Sequence, residues 1–504
     1  MDRSGPTPDA APPYRNFDTF GRGRLIKTTL SLCPVCLEPV GAEVYERAGQ
    51  VWMDKRCAAH GPCSALLSSD ARHYYEPAPR SAAPGPAPAS CCSGARGCGD
   101  PLSQHSCTVL IEITERCNLT CPTCYAGSSP QHTQMMGLDE FTRHVDRLVV
   151  DGKRNADMIQ LSGGEPTVHP ELPAMIDVLA SRGFRNICIN TNGIKMASPE
   201  FTRRLVHHDA ELFVYLQFDG FEAATYQALR GRPDLLDCKR RAIENCLREG
   251  IGVHPVMTVA RGINDHEVGA FINLAVDYPQ IKNVIIQPAM YSGRYDNPKH
   301  VARLTLADTV ELIVEQFGVF SAHDFGPIPC SHPNCFGMAV ALRSAAGLVP
   351  ISRLIPRYAK WGDHEIAGLI DRVSDTINGP QAFSEFMNWA FAGGHAKQLL
   401  AGLDDSEVDR LLEALIAWQR QSSGDRDAVW DALLVVGIKP FMDAENYDQD
   451  RIDQCCVHIL DPKGRPVSFC EYNAVHRPRL AAANHSAAAN RSAAAVASLQ
   501  IVDS

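Results

Sequence analysis

Short runs of β-branched and aromatic residues alternate with longer amphipathic stretches between Thr108 and Tyr291. The apolar runs are TVLIEIT, DMIQLSGG, NICINTNG, LFVYLQFDG, GVHPVMTVA and NVIIQPAMY. Between them lie stretches with helical spacing, such as DEFTRHVDRLVVDG, ELPAMIDVLASRG and CKRRAIENCLREG, which end in the glycine typical of a helix C-terminus. Strands that alternate with helices pair in parallel through right-handed crossovers. The pattern therefore predicts an α/β fold in which six such units form an open or partly closed (β/α)6 barrel.

Three cysteines follow the first apolar run, in the segment RCNLTCPTCYAGSS. Cys117, Cys121 and Cys124 have the spacing C-x3-C-x2-C. Because ligands of such barrels lie at the carboxyl ends of the strands, these thiols are expected at the mouth of the barrel. A structural zinc ion takes four protein ligands, and this loop supplies three. The motif therefore predicts a metal centre with one position left open.

The segments after the next strands carry polar groups that would face the same mouth. In LSGGEPTVHP, Gly163 and Gly164 allow the backbone close to a ligand, and Glu165 offers a carboxylate able to hold an ammonium group. NTNG follows the third strand with amide side chains suited to hydroxyl or carboxylate groups, and LQFDG ends the fourth. These two segments contribute Asn190, Asn192, Gln217 and Asp219.

The composition of the chain argues against some binding partners and some cellular locations. The chain has 504 residues and a formal net charge of -10, so no basic excess exists to bind a nucleic-acid backbone. Neither a signal peptide nor an apolar run of about 18 residues occurs, which argues against secretion and against a membrane span. The protein is therefore expected in the reducing cytoplasm. There, its 19 cysteines are predicted to bind metals and not to form disulfides.

The order of motifs divides the chain into six segments. They are a disordered N-terminus (1–29), a metal-binding knuckle (30–80), a cysteine-rich linker (81–107), the barrel (108–300), a mostly helical C-terminal region with further cysteine loops (301–478) and a low-complexity tail (479–504). The long cysteine-free helical pattern between Arg353 and Pro440 is predicted to pack its apolar face on the barrel. A cover over an apolar substrate groove, or a surface that meets lipid at the membrane periphery, is the alternative interpretation.

The knuckle contains a C-x2-C hairpin, Cys33 and Cys36, that is expected to face Cys57. Either Cys63 or His60 can complete a four-ligand site. Cys63 is the favoured ligand because four thiolates suit both zinc and a single rubredoxin-like iron, and the spacing does not choose between the two metals.

The remaining clustered cysteines fit two further [4Fe–4S] clusters, which would take eight thiolates. Nine candidates exist: Cys91, Cys92, Cys98, Cys107, Cys330, Cys335, Cys455, Cys456 and Cys470. Neighbouring residues point their side chains apart, so each adjacent pair can contribute a single ligand, and His105 or His332 can fill in. One cluster is expected from the late loops, where Cys330, Cys335, one of Cys455 and Cys456, and Cys470 must converge. Three isolated cysteines are interpreted as small core hydrophobes: Cys188, Cys238 and Cys246.

The cysteine triplet after strand one and the GGE motif after strand two resemble those of radical S-adenosylmethionine (SAM) enzymes. This resemblance implies a partial TIM-like barrel and a [4Fe–4S] cluster held by the three cysteines, with SAM on the open iron. It also assigns the SAM amine to Gly163, Gly164 and Glu165, and the SAM ribose or carboxylate to Asn190 and Asn192, with Gln217 as a further cofactor contact. One position departs from the pattern: Thr123 stands where an aromatic residue is frequent, and Tyr125 follows the third cysteine. A zinc knuckle, or a barrel with an accidental cysteine loop, is the alternative.

Residues 30 to 478 as a whole resemble one subfamily, that of the archaeal tetraether lipid synthase and the class D radical SAM methylases. The resemblance implies a reaction that forms a C–C bond at an unactivated carbon, with an electron donor of the flavodoxin or ferredoxin type. We expect a lipid alkyl chain as the substrate because extra clusters suit oxidative coupling. The alternatives are methylation of a pterin or another heterocycle, and a non-catalytic iron–sulfur protein acting in electron transfer or as a scaffold.

Overall fold

The computed structural model describes residues 23–75, 106–150, 152–295, 302–328, 331–344, 347–350, 352 and 433–481. Several expectations from the sequence fall outside these ranges. They concern most of the N-terminus, the linker, one late cysteine, most of the cysteine-free helical pattern and the tail: 1–22, Cys91, Cys92, Cys98, His105, Cys330, 353–432 and 482–504.

The N-terminal part of the described chain is a four-stranded antiparallel sheet, which we call the N-terminal ribbon. Its strands pair in sequence order and are β1 (Arg24–Leu32), β2 (Pro39–Arg47), β3 (Gln50–Cys57) and β4 (Gly61–Ser68). Val44, Val51 and Met53 form a small core at 0% exposure. Since β1 pairs with β2 from Arg24 onward, residues 24–29 are strand and not the disordered segment expected from composition.

A second sheet has 12 strands, and its centre consists of parallel strands joined by helical crossovers. In chain order these are β5 (Ser106–Thr114), then, after a short hairpin of β6 (Val149–Val150) and β7 (Lys153–Arg154), β8 (Ala156–Gly163), β9 (Asn186–Thr191), β10 (Glu211–Gln217), β11 (Gly252–Val259) and β12 (Asn283–Pro288). Each central strand pairs in parallel with the next, in the order β5-β8-β9-β10-β11-β12. The predicted α/β fold with six parallel strands is confirmed. The stretch DEFTRHVDRLVVDG was predicted to be helical to its end, but its last residues form the first strand of the β6–β7 hairpin.

The described helices lie mainly between these strands. They are α1 (Leu138–Arg147), α2 (Leu172–Ser181), α3 (Pro199–Arg203), α4 (Ala223–Arg230), α5 (Leu236–Arg248), α6 (Val268–Asp277), α7 (Leu306–Phe317), α8 (Gln449–Asp453) and α9 (Phe469–Glu471). None of the described helices is both long enough and apolar enough to cross a membrane.

Alternate side chains of the parallel strands pack against the helices and form the main core. On β5 these are Val109, Ile111 and Ile113, which share one hydrophobic cluster with Phe141 and Val145 of α1. Because successive strand residues point to opposite faces, the intervening positions face the interior of the partial barrel. The polar groups near the carboxyl ends of the strands therefore share one space.

The large sheet continues across the boundary expected at residue 300. Its further strands are β13 (Gly326–Pro327), β14 (Gly337–Ser344), β15 (Gly347–Pro350), β16 (Leu433–Ile438), β17 (Val457–Leu460) and β18 (Pro466–Ser468). Strand β16 pairs in parallel with β12, and β17 pairs in parallel with β5 on the other side. The described parts of 301–478 thus extend both ends of the barrel sheet, where the sequence predicted a mostly helical region.

Two buried lysines hold the N-terminal ribbon against the segment that follows β16. Lys27 Nζ lies 2.7 Å from Asp448 Oδ2, and both side chains are under 8% exposed. Lys55 Nζ donates to the carbonyls of Ala444 (2.8 Å) and Glu445 (2.7 Å). Burial lowers the pKa of Lys55 to about 8. Because an unpaired buried charge is costly, these contacts fix the ribbon beside the mouth of the barrel.

Candidate active site

The three cysteines of the triplet lie on the loop that leaves β5. Cys124 N donates to Cys121 O (3.3 Å), which closes a tight turn between the second and third cysteines. Burial raises the pKa of the Cys117 thiol to about 12, and charges on Glu165 and on the other two thiols add to this rise. The Cys117 thiol is therefore shielded from water and lies close to Glu165 and to the other two thiols.

The two glycines of the GGE motif bring β8 against the start of the cysteine loop. Gly164 N donates to Thr114 O (2.7 Å), and Glu165 N donates to Arg116 O (2.9 Å). A Cβ atom on Gly163, whose φ is +125°, would lie 2.1 Å from Thr114 O, and one on Gly164 would lie 2.2 Å from Arg116 O. Both positions thus require glycine for contact with the chain's own backbone. The sequence analysis explained these glycines only by the close approach of the backbone to a ligand.

Glu165 is buried at 1% exposure, and its carboxylate joins two motifs. Its Oε1 accepts hydrogen bonds from Thr167 N (3.1 Å), Thr167 Oγ1 (2.6 Å) and Thr191 Oγ1 (2.7 Å). Its Oε2 accepts from Asn192 N (2.7 Å). Oε1 thus accepts three hydrogen bonds and Oε2 accepts one, so Oε2 is the oxygen with room for a further donor. The side chain thus orders the NTNG loop and can also receive an ammonium group.

Of the predicted amide side chains, Asn192 lies nearest to the cysteine loop. Its Nδ2 donates to Asn118 Oδ1 (2.7 Å) and is 4.0 Å from Cys117 Sγ. The backbone carbonyl of Asn192 accepts from Lys239 Nζ (2.5 Å), a side chain that is 0% exposed. Burial lowers the pKa of Lys239 to about 8. The first cysteine, the GGE motif and the NTNG motif are therefore joined by direct hydrogen bonds.

Asn190 and Gln217 lie on the strands, facing the barrel interior. Asn190 Nδ2 donates to Ser162 Oγ (3.2 Å), and Gln217 Nε2 donates to Asp219 Oδ1 (2.7 Å) and to Val256 O (3.1 Å). These contacts leave the two amides further from the cysteine loop than Asn192.

Arg294, which the sequence analysis did not identify, holds the cysteine loop by three hydrogen bonds to its backbone. Arg294 Nε donates to Cys121 O (2.9 Å), Nη1 to Gly127 O (2.6 Å) and Nη2 to Ser128 O (2.7 Å). A Cβ atom on Gly293 would lie 2.3 Å from Tyr125 O, so the loop after β12 packs closely on the backbone around the third cysteine. The Gly-Arg pair in YSGRY, directly after the last parallel strand, was the available signal.

A second missed arginine lies behind Cys121. Arg230 donates from Nε to Asp219 Oδ2 and from Nη2 to Asp219 Oδ1, both at 2.6 Å. Burial raises the pKa of Cys121, and the Arg230 guanidinium opposes that rise more strongly than Asp219 adds to it. Asp219 therefore orients the arginine and does not point at the cysteine loop as a ligand of its own.

Tyr125, the aromatic residue after the third cysteine, contacts a partly buried ion pair. The guanidinium of Arg477 lies 5.8 Å from the ring centre of Tyr125 and 5.0 Å from that of Tyr472. Its Nη2 donates to Glu112 Oε1 (2.6 Å) on β5. The C-terminal part of the described chain thus places a cation over the cysteine loop, next to an interior carboxylate.

The N-terminal ribbon brings four potential metal ligands together. The ligand atoms of Cys33, Cys36, Cys57 and His60 all lie within 4.8 Å of one another. Cys63 pairs across the sheet with Lys55, two residues along β3 from Cys57, or about 7 Å at the usual strand rise. The expectation that favoured Cys63 is therefore corrected: His60, in the turn at the end of the sheet, joins the three thiols.

Three of the late cysteines converge from the two ends of the large sheet. Cys335 precedes β14, Cys455 precedes β17 and Cys470 follows β18. Burial raises the pKa of Cys470 to about 12, and charges on Cys455 and Cys335 contribute to the rise. Arg451 Nε donates to Cys335 Sγ (3.3 Å). Cys456, in contrast, is 4% exposed, and its carbonyl accepts from Thr108 N on β5 (3.2 Å). Cys107 lies on β5 itself.

Two family models match this chain. The model of the radical SAM superfamily matches residues 111–275, which include the cysteine loop, the GGE motif and Asp219. Residues 111–275 are a radical SAM domain. The second model, described as the HMPTM N-terminal zinc ribbon domain, matches residues 25–69. The N-terminal ribbon is thus a zinc ribbon domain.

Some similar proteins match nearly the whole chain, whereas others match only a part of it. The 7,8-dihydro-6-hydroxymethylpterin dimethyltransferase of Methanocaldococcus jannaschii is 29% identical, over 90% of this chain and 94% of its own length. The probable GTP 3',8-cyclase of Methanothermobacter marburgensis is 28% identical, over 32% of this chain and 51% of its own. The structure of Streptococcus suis SuiB bound to S-adenosylmethionine aligns with 41% of this chain and 46% of its own, at 15% identity and a TM-score of 0.34.

The radical SAM domain implies a [4Fe–4S] cluster and SAM, and the residues at the mouth fit both. Three thiols on one shielded loop provide the donor set of a cluster with one open iron. Glu165, with a lone pair remaining on Oε2, and the backbone of the GGE motif lie beside that loop. The zinc ribbon domain likewise implies a metal site, and three cysteines with one histidine suit a structural zinc ion.

Substitution of His60 or Cys63 tests which of the two is the fourth ligand of the zinc ribbon. We expect His60→Ala to lower zinc affinity by at least the roughly 10–100-fold typical of losing an outer-shell partner, because it removes a ligand outright. Cys63→Ala is expected to keep one zinc per chain. Elemental analysis after dialysis against a chelator measures both, and zinc loss from Cys63→Ala with retention in His60→Ala would reverse the assignment.

Proposed function

We propose that this radical SAM enzyme methylates a carbon atom of a pterin-type heterocycle. Two independent observations support this proposal. The archaeal relative that is similar over most of both chains is a pterin dimethyltransferase. In addition, the interior of the partial barrel presents hydrogen-bonding side chains near the carboxyl ends of its strands, and this observation carries the proposal.

Each of the six parallel strands carries a polar interior residue near its carboxyl end. These residues alternate with the core residues: Glu112, Gln160, Ser162, Asn190, Gln217, Thr258 and Gln287. Apolar interior positions such as Leu110, Val256 and Ile285 lie further from the mouth of the barrel. Below them, the rings of Phe213 and His254 lie 4.8 Å apart at 32°. A pterin is a flat fused ring with amide, amino and ring-nitrogen groups around its edge. Amide, hydroxyl and carboxylate side chains can pair with such an edge, and aromatic rings can stack on its face.

The substrate preference drawn from the subfamily resemblance, a lipid alkyl chain, gives way to its stated alternative, the methylation of a pterin, because the relative that is similar over most of both chains is a pterin dimethyltransferase.

In this proposal the residues of the mouth hold the cofactors in fixed places. Cys117, Cys121 and Cys124 would hold the cluster, and Glu165 would receive the SAM ammonium. When bound, the cluster and SAM supply reductive cleavage and hydrogen abstraction. Asn192 fixes the loop beside Cys117, and Arg294 holds the backbone of the cysteine loop against the strand ends. Burial of these groups excludes water from the reacting atoms.

We also propose an auxiliary iron–sulfur cluster at Cys335, Cys455 and Cys470. Their convergence and mutual electrostatic effects support it, as does Arg451, which donates to Cys335 and carries a fixed positive charge. Three thiols leave one iron position for another ligand. His332, at 2% exposure, is the buried histidine closest in sequence to Cys335.

Product identification tests the substrate. Anaerobically reconstituted protein, given SAM, a reductant and a folate-class one-carbon donor, is expected to add methyl groups to a dihydropterin, as detected by mass spectrometry. A long-chain lipid supplied in a parallel reaction is expected to remain uncoupled. Coupled lipid chains together with an unmodified pterin would overturn the proposal.

A pair of glutamine variants tests the role of the barrel interior. Gln287→Leu is expected to cost about 1–3 kcal/mol of transition-state stabilisation for the pterin, because a polar group of the ring loses its partner. Gln227→Leu makes the same chemical change on the exposed side of α4 and should leave kcat/KM unchanged.

A further inference from the structure

Arg230 ends α4 and is buried at 8% exposure. Besides its two bonds to Asp219, its Nη2 donates to Thr258 Oγ1 (3.1 Å). Asp219 is itself 0% exposed. A guanidinium held at two nitrogens by a buried carboxylate has a fixed orientation. Its remaining donors therefore point in a defined direction.

The end of α4 that carries Arg230 packs directly on the cysteine loop. Thr123 Oγ1 donates to Leu229 O (2.9 Å), and a Cβ atom on Gly231 would lie 3.5 Å from Thr120 O. Cys121 lies between Thr120 and Thr123, and the charge of Arg230 lowers the pKa of its thiol against the rise caused by burial.

Four buried charged side chains lie around the end of α4. Asp219 and Glu267 are negative, whereas Arg230 and Lys239 are positive, and all four are under 9% exposed. Water screens such charges weakly, so they act on the loop more strongly than surface charges would. At Cys121 the charge of Arg230 has a larger effect than the charge of Asp219. Arg230 is therefore the charge that most strongly favours a negative charge on this thiol.

We propose that Arg230 is a positioning residue whose fixed charge at Cys121 raises the reduction potential of the cluster held by the cysteine loop. Reduction adds an electron to the cluster, so a nearby cation stabilises the reduced form more than the oxidised form. Arg230 would thereby ease the electron transfer that SAM cleavage requires. This inference rests on the proposed cluster ligands but not on the identity of the substrate.

The test is a redox titration of the reconstituted cluster, followed by electron paramagnetic resonance without any pterin present. We expect Arg230→Gln to lower the equilibrium constant for reduction about tenfold, which is about 59 mV for a one-electron couple. Arg230→Lys keeps the charge and should retain most of the wild-type potential. Arg232→Gln is the matched control, because Arg232 lies two residues away, is 45% exposed and pairs with Asp234.

A second variant distinguishes an effect on the reduction potential from a loss of stability caused by an unpaired buried charge. Arg230→Gln leaves Asp219 without its partner, whereas Arg230→Gln with Asp219→Asn removes both buried charges. The double variant should keep the wild-type iron content and show the same direction of shift. A wild-type potential in either variant, an equal shift in Arg232→Gln, or loss of the cluster from both variants would overturn the proposal. A failure of pterin methylation would leave this measurement unaffected.

Discussion

Replacement of Cys117, Cys121 and Cys124 together by alanine is expected to abolish SAM cleavage and to remove about four irons per chain, the content of one cubane cluster. The three thiols lie on a single loop fastened by the GGE backbone and by Arg294. No neighbouring ligand set on that loop can replace them. Iron analysis and detection of 5′-deoxyadenosine measure the two effects, and undiminished cleavage by the triple variant would refute the cluster assignment.

Glu165→Gln is the contrasting variant at the same site. It removes the negative charge opposite the SAM ammonium, so we expect SAM binding to weaken by about 2–5 kcal/mol, the scale for a buried charge that loses its partner. The cysteines are untouched, and the iron content should stay at the wild-type value. An unchanged SAM affinity, measured by calorimetry, would show that the hydrogen bonds of Glu165 to the NTNG loop are its whole role.

Replacement of Cys335 and Cys470 by alanine is expected to remove the iron of the proposed auxiliary cluster and to stop product formation. SAM cleavage should remain measurable, because the cysteine loop after β5 is unchanged. The two residues come from opposite ends of the large sheet, and a shared cluster would tie these ends together. Iron content and 5′-deoxyadenosine formation are measured on the same sample.

Cys238→Ala is the control for this double variant. Cys238 is partly buried on α5, where its Sγ lies 3.8 Å from Ile194 O, and we expect its loss to change neither iron content nor turnover. A double variant that kept its full iron complement would exclude an auxiliary cluster at this place. A double variant that lost SAM cleavage as well would indicate that the late cysteines support the barrel and not a second centre.

The sequence alone determined the parallel centre of the sheet. Strand-like runs alternate with amphipathic helices, and this period follows from local side-chain pattern, which needs no distant contact. The cysteine loop and the GGE motif could be predicted as parts of one site because they too are local sequence patterns. Each is contiguous, and each directly follows a strand whose carboxyl end must face the mouth. Their order along the chain placed them together before any coordinates were known.

The tertiary structure decided the contacts between residues far apart in the chain. It brought Arg477 to Glu112, 365 residues away, and Arg294 to Cys121. A charged residue on a loop gives no local sign of the distant partner it will meet. Likewise, the choice between His60 and Cys63 depended on the register of β3 and β4, because a shift of two residues moves a thiol about 7 Å along the strand.

The clearest division concerns the cysteines themselves. Spacing within one loop identified Cys117, Cys121 and Cys124 as a set, since the chain between them is too short to separate their sulfurs widely. No spacing rule could join Cys335 with Cys470, because the intervening chain can close in many ways. Only the pairing of β14 with β16 and of β17 with β5 brings those two thiols together.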